Sequence, residues 1–215
     1  MARLDGKVAI ITGGAKGFGL STAQLLVQEG AKVVITDLDE QGGQKALDTI
    51  GRDKAAFVAQ DVAKEDSWEP VFSAARDKFG EANVLVNNAG ILFFDDAEHF
   101  AMDEWHKILS VDLDGVMLGV KHAIAHMKEH GGSIINMCSI AGLIGIANLY
   151  AYNAAKGAVR LLTKGGRPLL RSAGIPNPGQ LHSSRIRPHS HGRCLSPDAW
   201  RSRETAPHGS AGFNP

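Results

Sequence analysis

Five short runs rich in Val, Ile and Ala punctuate the first 140 residues: KVAIIT (7–12), AKVVIT (31–36), AAFVAQ (55–60), VLVNNAG (84–90) and GSIINMCS (132–139). They are too short and too β-branched for helices and read as buried parallel strands. Between them, 17–30, 40–50, 65–79, 101–130 and 150–164 show helical spacing, as in Trp68, Val71, Phe72 and Ala75. A βαβαβαβαβα order resolves into an α/β fold, a doubly wound parallel sheet with helices on both faces. Each crossover must be right-handed and return over the sheet.

The chain has 215 residues, 44% of them hydrophobic, enough for one substantial core. Its neutral balance hides a division at Lys164. Residues 165–215 hold seven Arg, no Lys and two acids, leaving 16 Lys+Arg against 21 Asp+Glu before them; seven of the eight prolines also follow Lys164. We therefore expect one folded domain over 1–164 and an irregular basic tail over 165–215, without periodicity. Cys138 and Cys194 make no disulfide framework, no run approaches the ~20 apolar residues of a membrane span, and MARLDGKVAIITGG is not a signal peptide. A cytoplasmic setting follows as the expectation, with no metal, membrane or nucleic-acid partner.

Directly after the first strand, TGGAKGFG (12–19) opens a helix. Gly13, Gly17 and Gly19 permit a tight turn and close approach to a pyrophosphate, which free N–H groups at the helix start would attract. Lys16 and Phe18 share this loop. Asp37, followed by Leu38, ends the second strand, where a carboxylate can accept both adenosine ribose hydroxyls and repel the extra phosphate of NADP. NAD is therefore the expected cofactor, the alternative being a solvated strand end. Asp61 and Val62 close the third strand beside the adenine position. In NNAG (87–90), Asn88, Ala89 and Gly90 leave room beside the cofactor ribose.

Tyr152 and Lys156 are four apart on a helix and so share a face, roughly 6 Å apart. Ser139 ends the preceding strand, on the side of the sheet where open α/β folds bind ligands. Together they can run hydride chemistry: Ser139 orients the substrate oxygen, Tyr152 exchanges its proton and Lys156 primes the phenol. A phenol titrates near ~10, and bringing it to ~7 takes about 4 kcal/mol. One ammonium at ~4 Å supplies about that at an effective dielectric near 20. Tyr150 has no lysine four residues on and reads as a packing or pocket-wall residue.

As a set, T-G-x3-G-x-G at 12–19, N-N-A-G at 87–90, Ser139 and Y-x3-K at 152–156 resemble the single-domain short-chain dehydrogenase/reductases over about residues 5–164. The resemblance implies a Rossmann fold and NAD(P)-dependent interconversion of secondary alcohols and ketones. It also implies a homo-oligomer, dimer or tetramer, built on helices 113–130 and 150–164. Tyr152 and Lys156 would also touch the cofactor. The text is most similar to enzymes of cyclic or bulky secondary alcohols and hydroxysteroids, so a small apolar alcohol or ketone is the expected substrate. Ile140, Leu143, Ile144 and Leu149 either line its site or belong to the core. Alternatives are a 3-oxoacyl-carrier-protein-type reductase and a catalytically impaired remnant that binds dinucleotide or only oligomerises.

Two departures stand out. Where the family pattern has a fourth catalytic residue, Asn, this chain has Asp112, and a carboxylate only accepts where an amide also donates. Beyond Lys164 the sixth strand and the nicotinamide-clamping segment of the family are missing. With permitted codons, residues 175–192 read one base later spell Y-R-I-R-V-N-S-I-H-P-G-Y-V-H-T, which resembles that segment. The expectation is a one-base frame shift near Lys164/Gly165, absent C-terminal strands, and a fifth strand left with a bare edge.

Overall fold

All five residues of β1 (Val8–Thr12) are buried, and their side chains divide between two cores. Val8 and Ile10 face one way, packing with Val34, Leu85 and Ile134 under Trp68, Val71 and Phe72. Ala9 and Ile11 face the other, with Val33, Ile35 and Val86 under Ala23, Val27 and Leu47. A strand buried on both faces has no polar side to show, and β1 accordingly lacks alternation. Each fully buried Ile contributes about 1.5–3 kcal/mol.

A computed structural model describes residues 3–94, 96–172 and 177–183. After β1 come α1 (Gly17–Gln28), β2 (Lys32–Asp37), α2 (Glu40–Ile50), β3 (Ala55–Ala59), α3 (Trp68–Phe79) and β4 (Val84–Asn87). Next are α4 (Met102–Leu109), α5 (Gly115–Met127), β5 (Ser133–Cys138), α6 (Ala141–Ile144), α7 (Tyr150–Ser172) and β6 (Asn177–Ser183). The strands lie in the order β3-β2-β1-β4-β5-β6, every pairing parallel. Because β1 is flanked by both β2 and β4, the winding direction reverses there, and the carboxyl ends of β1 and β4 open the crevice where such sheets take ligands. Among the described residues, no helix is long and apolar enough to cross a membrane.

The five expected strands and the doubly wound sheet are present, and three elements differ. The single helix read over 101–130 is α4 and α5 joined by a π-helical turn, Ser110–Asp114. Such a turn inserts one residue into the helical ladder and re-aims its side chains, and Asp112 lies within it. The helix expected to stop at Lys164 runs on to Ser172. The expected bare edge of β5 is instead paired with β6, from Ser133 opposite Asn177 to Cys138 opposite Ser183, with a register shift between Ser133 and Ile135. The reason is that open N–H and C=O groups of β5 accept any extended backbone, whatever its side-chain pattern. An edge strand also tolerates Pro178. The parts of the frame-shift and tail readings that fall on 173–176 and 184–215 lie outside the described residues.

Candidate active site

Three segments converge at the reversal point. Thr12 ends β1, and its buried Oγ1 accepts the N–H groups of both Asn88 and Ala89 at 3.0 Å. Asn88 returns the tie, its Nδ2 donating to the carbonyls of Thr12 at 2.8 Å and Gly13 at 3.1 Å. The glycine loop is thus pinned to the end of β4. Gly17 holds φ +56°, a region that disfavours side chains. At Gly19 a Cβ would stand 2.1 Å from the Gly13 carbonyl oxygen, so only glycine lets α1 start this close to the loop. Lys16 caps α1 without a side-chain hydrogen bond, leaving the first-turn N–H groups open toward an anion.

A cleft of about 380 Å³ lies over this loop, walled by Gly13, Lys16, Phe18, Asp37, Leu38, Asp61, Val62, Asn88, Ala89 and Gly90. Thr36, Gln60, Ile91 and Val111, which the sequence did not single out, complete the wall. Asp37 is fixed by two backbone donors, Ala15 N–H at 3.2 Å and Asp39 N–H at 3.1 Å. Each carboxylate oxygen keeps a lone pair for a further donor such as a ribose hydroxyl. Phe18 and Leu38 are exposed at the rim, an apolar edge for a flat base. These features fit a nicotinamide dinucleotide.

A second cleft of about 200 Å³ shares Phe18, Asn88, Gly90 and Ile91 with the first and adds Asp112, Met137, Cys138, Tyr152 and Lys156. Lys156 is buried, its Nζ 5.5 Å from the centre of the Tyr152 ring and donating to the Met137 carbonyl at 3.3 Å. Its Nζ also lies 3.0 Å from Oδ2 of Asp112, whose side chain is fully buried. That contact is an ion pair in distance, yet among the described residues Oδ2 has no well-aligned donor. Oδ1 accepts the Ile91 N–H at 2.7 Å. Burial pushes the Asp112 carboxyl above its ordinary value, opposed first by the Lys156 charge and then by the Ile91 N–H. Ser139 follows β5 directly, and its Oγ accepts the Ala141 N–H at 3.2 Å, which leaves its O–H free to donate. Among the described residues, no hydrogen bond joins Ser139 to Tyr152.

Of the residues named from sequence, Tyr152, Lys156 and Asp112 share the second cleft, and Ser139 sits at its β5 side next to Cys138. Leu149 is buried, whereas Ile140, Leu143 and Ile144 are exposed, so the apolar set divides. Tyr150 is exposed rather than packed. The glycine motif included Thr12 without giving it a role, and Ile91 and a buried polar chain were missed. In that chain Asn87 Nδ2 donates to Asn136 at 2.9 Å, Asn136 Nδ2 donates to Thr163 at 2.9 Å, and Thr163 donates to the Val159 carbonyl at 2.8 Å. The available signal was polar residues inside apolar strands, which burial obliges to find partners.

A family model described as short chain dehydrogenase matches residues 7–176. The chain is similar to the NADP-dependent (R)-specific alcohol dehydrogenase of Lentilactobacillus kefiri, 48% identical over 165 residues, covering 75% of this chain and 66% of that one. It is similar to the 3-beta-hydroxysteroid dehydrogenase of Comamonas testosteroni, 42% identical over 172 residues, covering 80% and 67%. Among solved structures, the 3-ketoacyl-(acyl-carrier-protein) reductase of Brucella melitensis complexed with NADH superposes with a TM-score of 0.76 at 39% identity, covering 79% of this chain and 72% of that one. The chain thus spans about two thirds of the length of these curated relatives, 66% in the first case.

Proposed function

The chain belongs to the short chain dehydrogenase family, and from that premise we propose that it interconverts a small apolar secondary alcohol and its ketone using NAD. One observation carries the reading. A cleft suited to a dinucleotide runs, through shared walls, into one holding Tyr152 and a buried Lys156. The bound nicotinamide supplies the acceptor or donor of hydride. Tyr152 takes the hydroxyl proton in oxidation and returns it in reduction, a step worth on the order of 10²–10⁴ in rate. Lys156, held by the Met137 carbonyl, stabilises the phenolate. The Ser139 O–H donates to the substrate oxygen and fixes its place beside Tyr152. Asp112 orients Lys156 and tempers its charge.

Asp37, anchored by two N–H groups, supports NAD over NADP because a carboxylate repels a 2′-phosphate. The L. kefiri relative is named as NADP-dependent, so the same assay compares both cofactors. The full chain, given NAD and cyclic secondary alcohols, is expected to reduce the nicotinamide, seen by absorbance, with NADP at least about tenfold poorer in kcat/KM. Tyr152→Phe should lower kcat by roughly 10²–10⁴. Unchanged turnover in that variant would remove Tyr152 from the chemistry.

The Brucella likeness supports a second reading, reduction of a 3-oxoacyl thioester. Faster turnover of such a thioester than of any cyclic ketone would favour it. Stabilisation by NAD without turnover would mark a binding remnant. Assembly as a dimer or tetramer is assigned to α5 and α7, where Met117 is 48% and Leu161 66% exposed.

A further inference from the structure

Away from both clefts, α5 carries His122 and His126 one turn apart, and Glu69 reaches them from the start of α3. One ligand atom from each residue lies within 4.8 Å of the other two. We propose that Glu69, His122 and His126 form a binding site for a divalent transition-metal ion, zinc above all, which braces α3 against α5.

Two imidazoles and one carboxylate are borderline donors that suit zinc, whereas calcium and magnesium call for oxygen shells. Metal–ligand bonds near 2.0–2.2 Å place tetrahedral ligand atoms roughly 3.4 Å apart, so small side-chain rotations close the set. The rings are already held. His126 stacks on Phe72 with centroids 4.4 Å apart, and His122 stacks on Trp68 at 6.2 Å. His126 Nε2 is 2.9 Å from Glu69 Oε2, while Glu69 Oε1 accepts a 3.5 Å hydrogen bond from Ser73.

The decisive detail is His122 Nε2, a buried nitrogen with no hydrogen-bond partner among the described residues. A buried polar atom left unpaired is unfavourable, and a metal ion would satisfy it. Neighbouring Lys121 is engaged by Glu65 and does not crowd the set. Three protein ligands leave a fourth position for water.

The test is calorimetric titration of zinc chloride into the tag-free full chain, repeated with Glu69→Gln and His126→Asn. Glu69 is exposed, so Glu69→Gln leaves the core untouched. Saturable binding of about one ion per chain is expected, weakened at least about tenfold by either substitution. Cobalt(II) in place of zinc should give visible bands of a low-coordinate site that both variants lose. Zinc should also raise the melting temperature of the parent chain and not of His126→Asn. Absence of saturable binding, or binding that both variants retain at full affinity on other histidines, would overturn the assignment and leave only an ion pair between stacked rings.

Discussion

At position 112 the buried carboxyl has an acceptor's chemistry beside a buried ammonium, and burial outweighs the ammonium in setting its proton affinity. A carboxyl whose folded value lies above its unfolded one stabilises the fold most while protonated, and that contribution falls away as pH rises through the folded value. Asp112→Asn should therefore flatten the decline in melting temperature as pH climbs from the ordinary carboxylate range. It also removes a negative charge near the Tyr152–Lys156 pair, so the acid limb of the pH–rate profile for alcohol oxidation should move to lower pH. A pH series of kcat/KM for both chains checks it; coincident profiles would show that Asp112 acts only by packing. The substitution itself was legible in the sequence, as was the set of Tyr152, Lys156 and Ser139. The partners of Asp112, Ile91 N–H and Lys156 Nζ, were not, because a side chain's hydrogen bonds depend on a π-helical turn that periodicity does not reveal.

The helix that closes the β3–β4 crossover shows how one element serves the site from a distance. Trp68 at the start of α3 is fully buried, and its Nε1 donates to the Val62 carbonyl at 3.1 Å, tying the helix to the loop that walls the nucleotide cleft. Trp68→Ala is expected to cost about 3–5 kcal/mol in a denaturant titration. It should also weaken dinucleotide binding, because Val62 loses its support. A loss below about 1 kcal/mol would show the crossover to be held elsewhere. The spacing of Trp68, Val71, Phe72 and Ala75 made this helix readable; α6 and β6 were not. A four-residue helix is too short to establish a period, and an edge strand is specified by its neighbour's open backbone more than by its own residues.

Across the whole molecule, the parallel sheet follows directly from the repeated apolar runs, and its ligand crevice follows from the strand order. The assembly state rests on surface chemistry. Replacing Leu161 with Glu should shift sedimentation toward a smaller species if α7 is the interface, and an unchanged profile would place association elsewhere. The partition between the two clefts has a kinetic corollary. Phe18, Asn88, Gly90 and Ile91 belong to both. Whatever occupies the larger cleft first lays the floor on which the second reactant rests. On the proposed reading the nucleotide is expected to enter first and depart last, an order that product-inhibition patterns check.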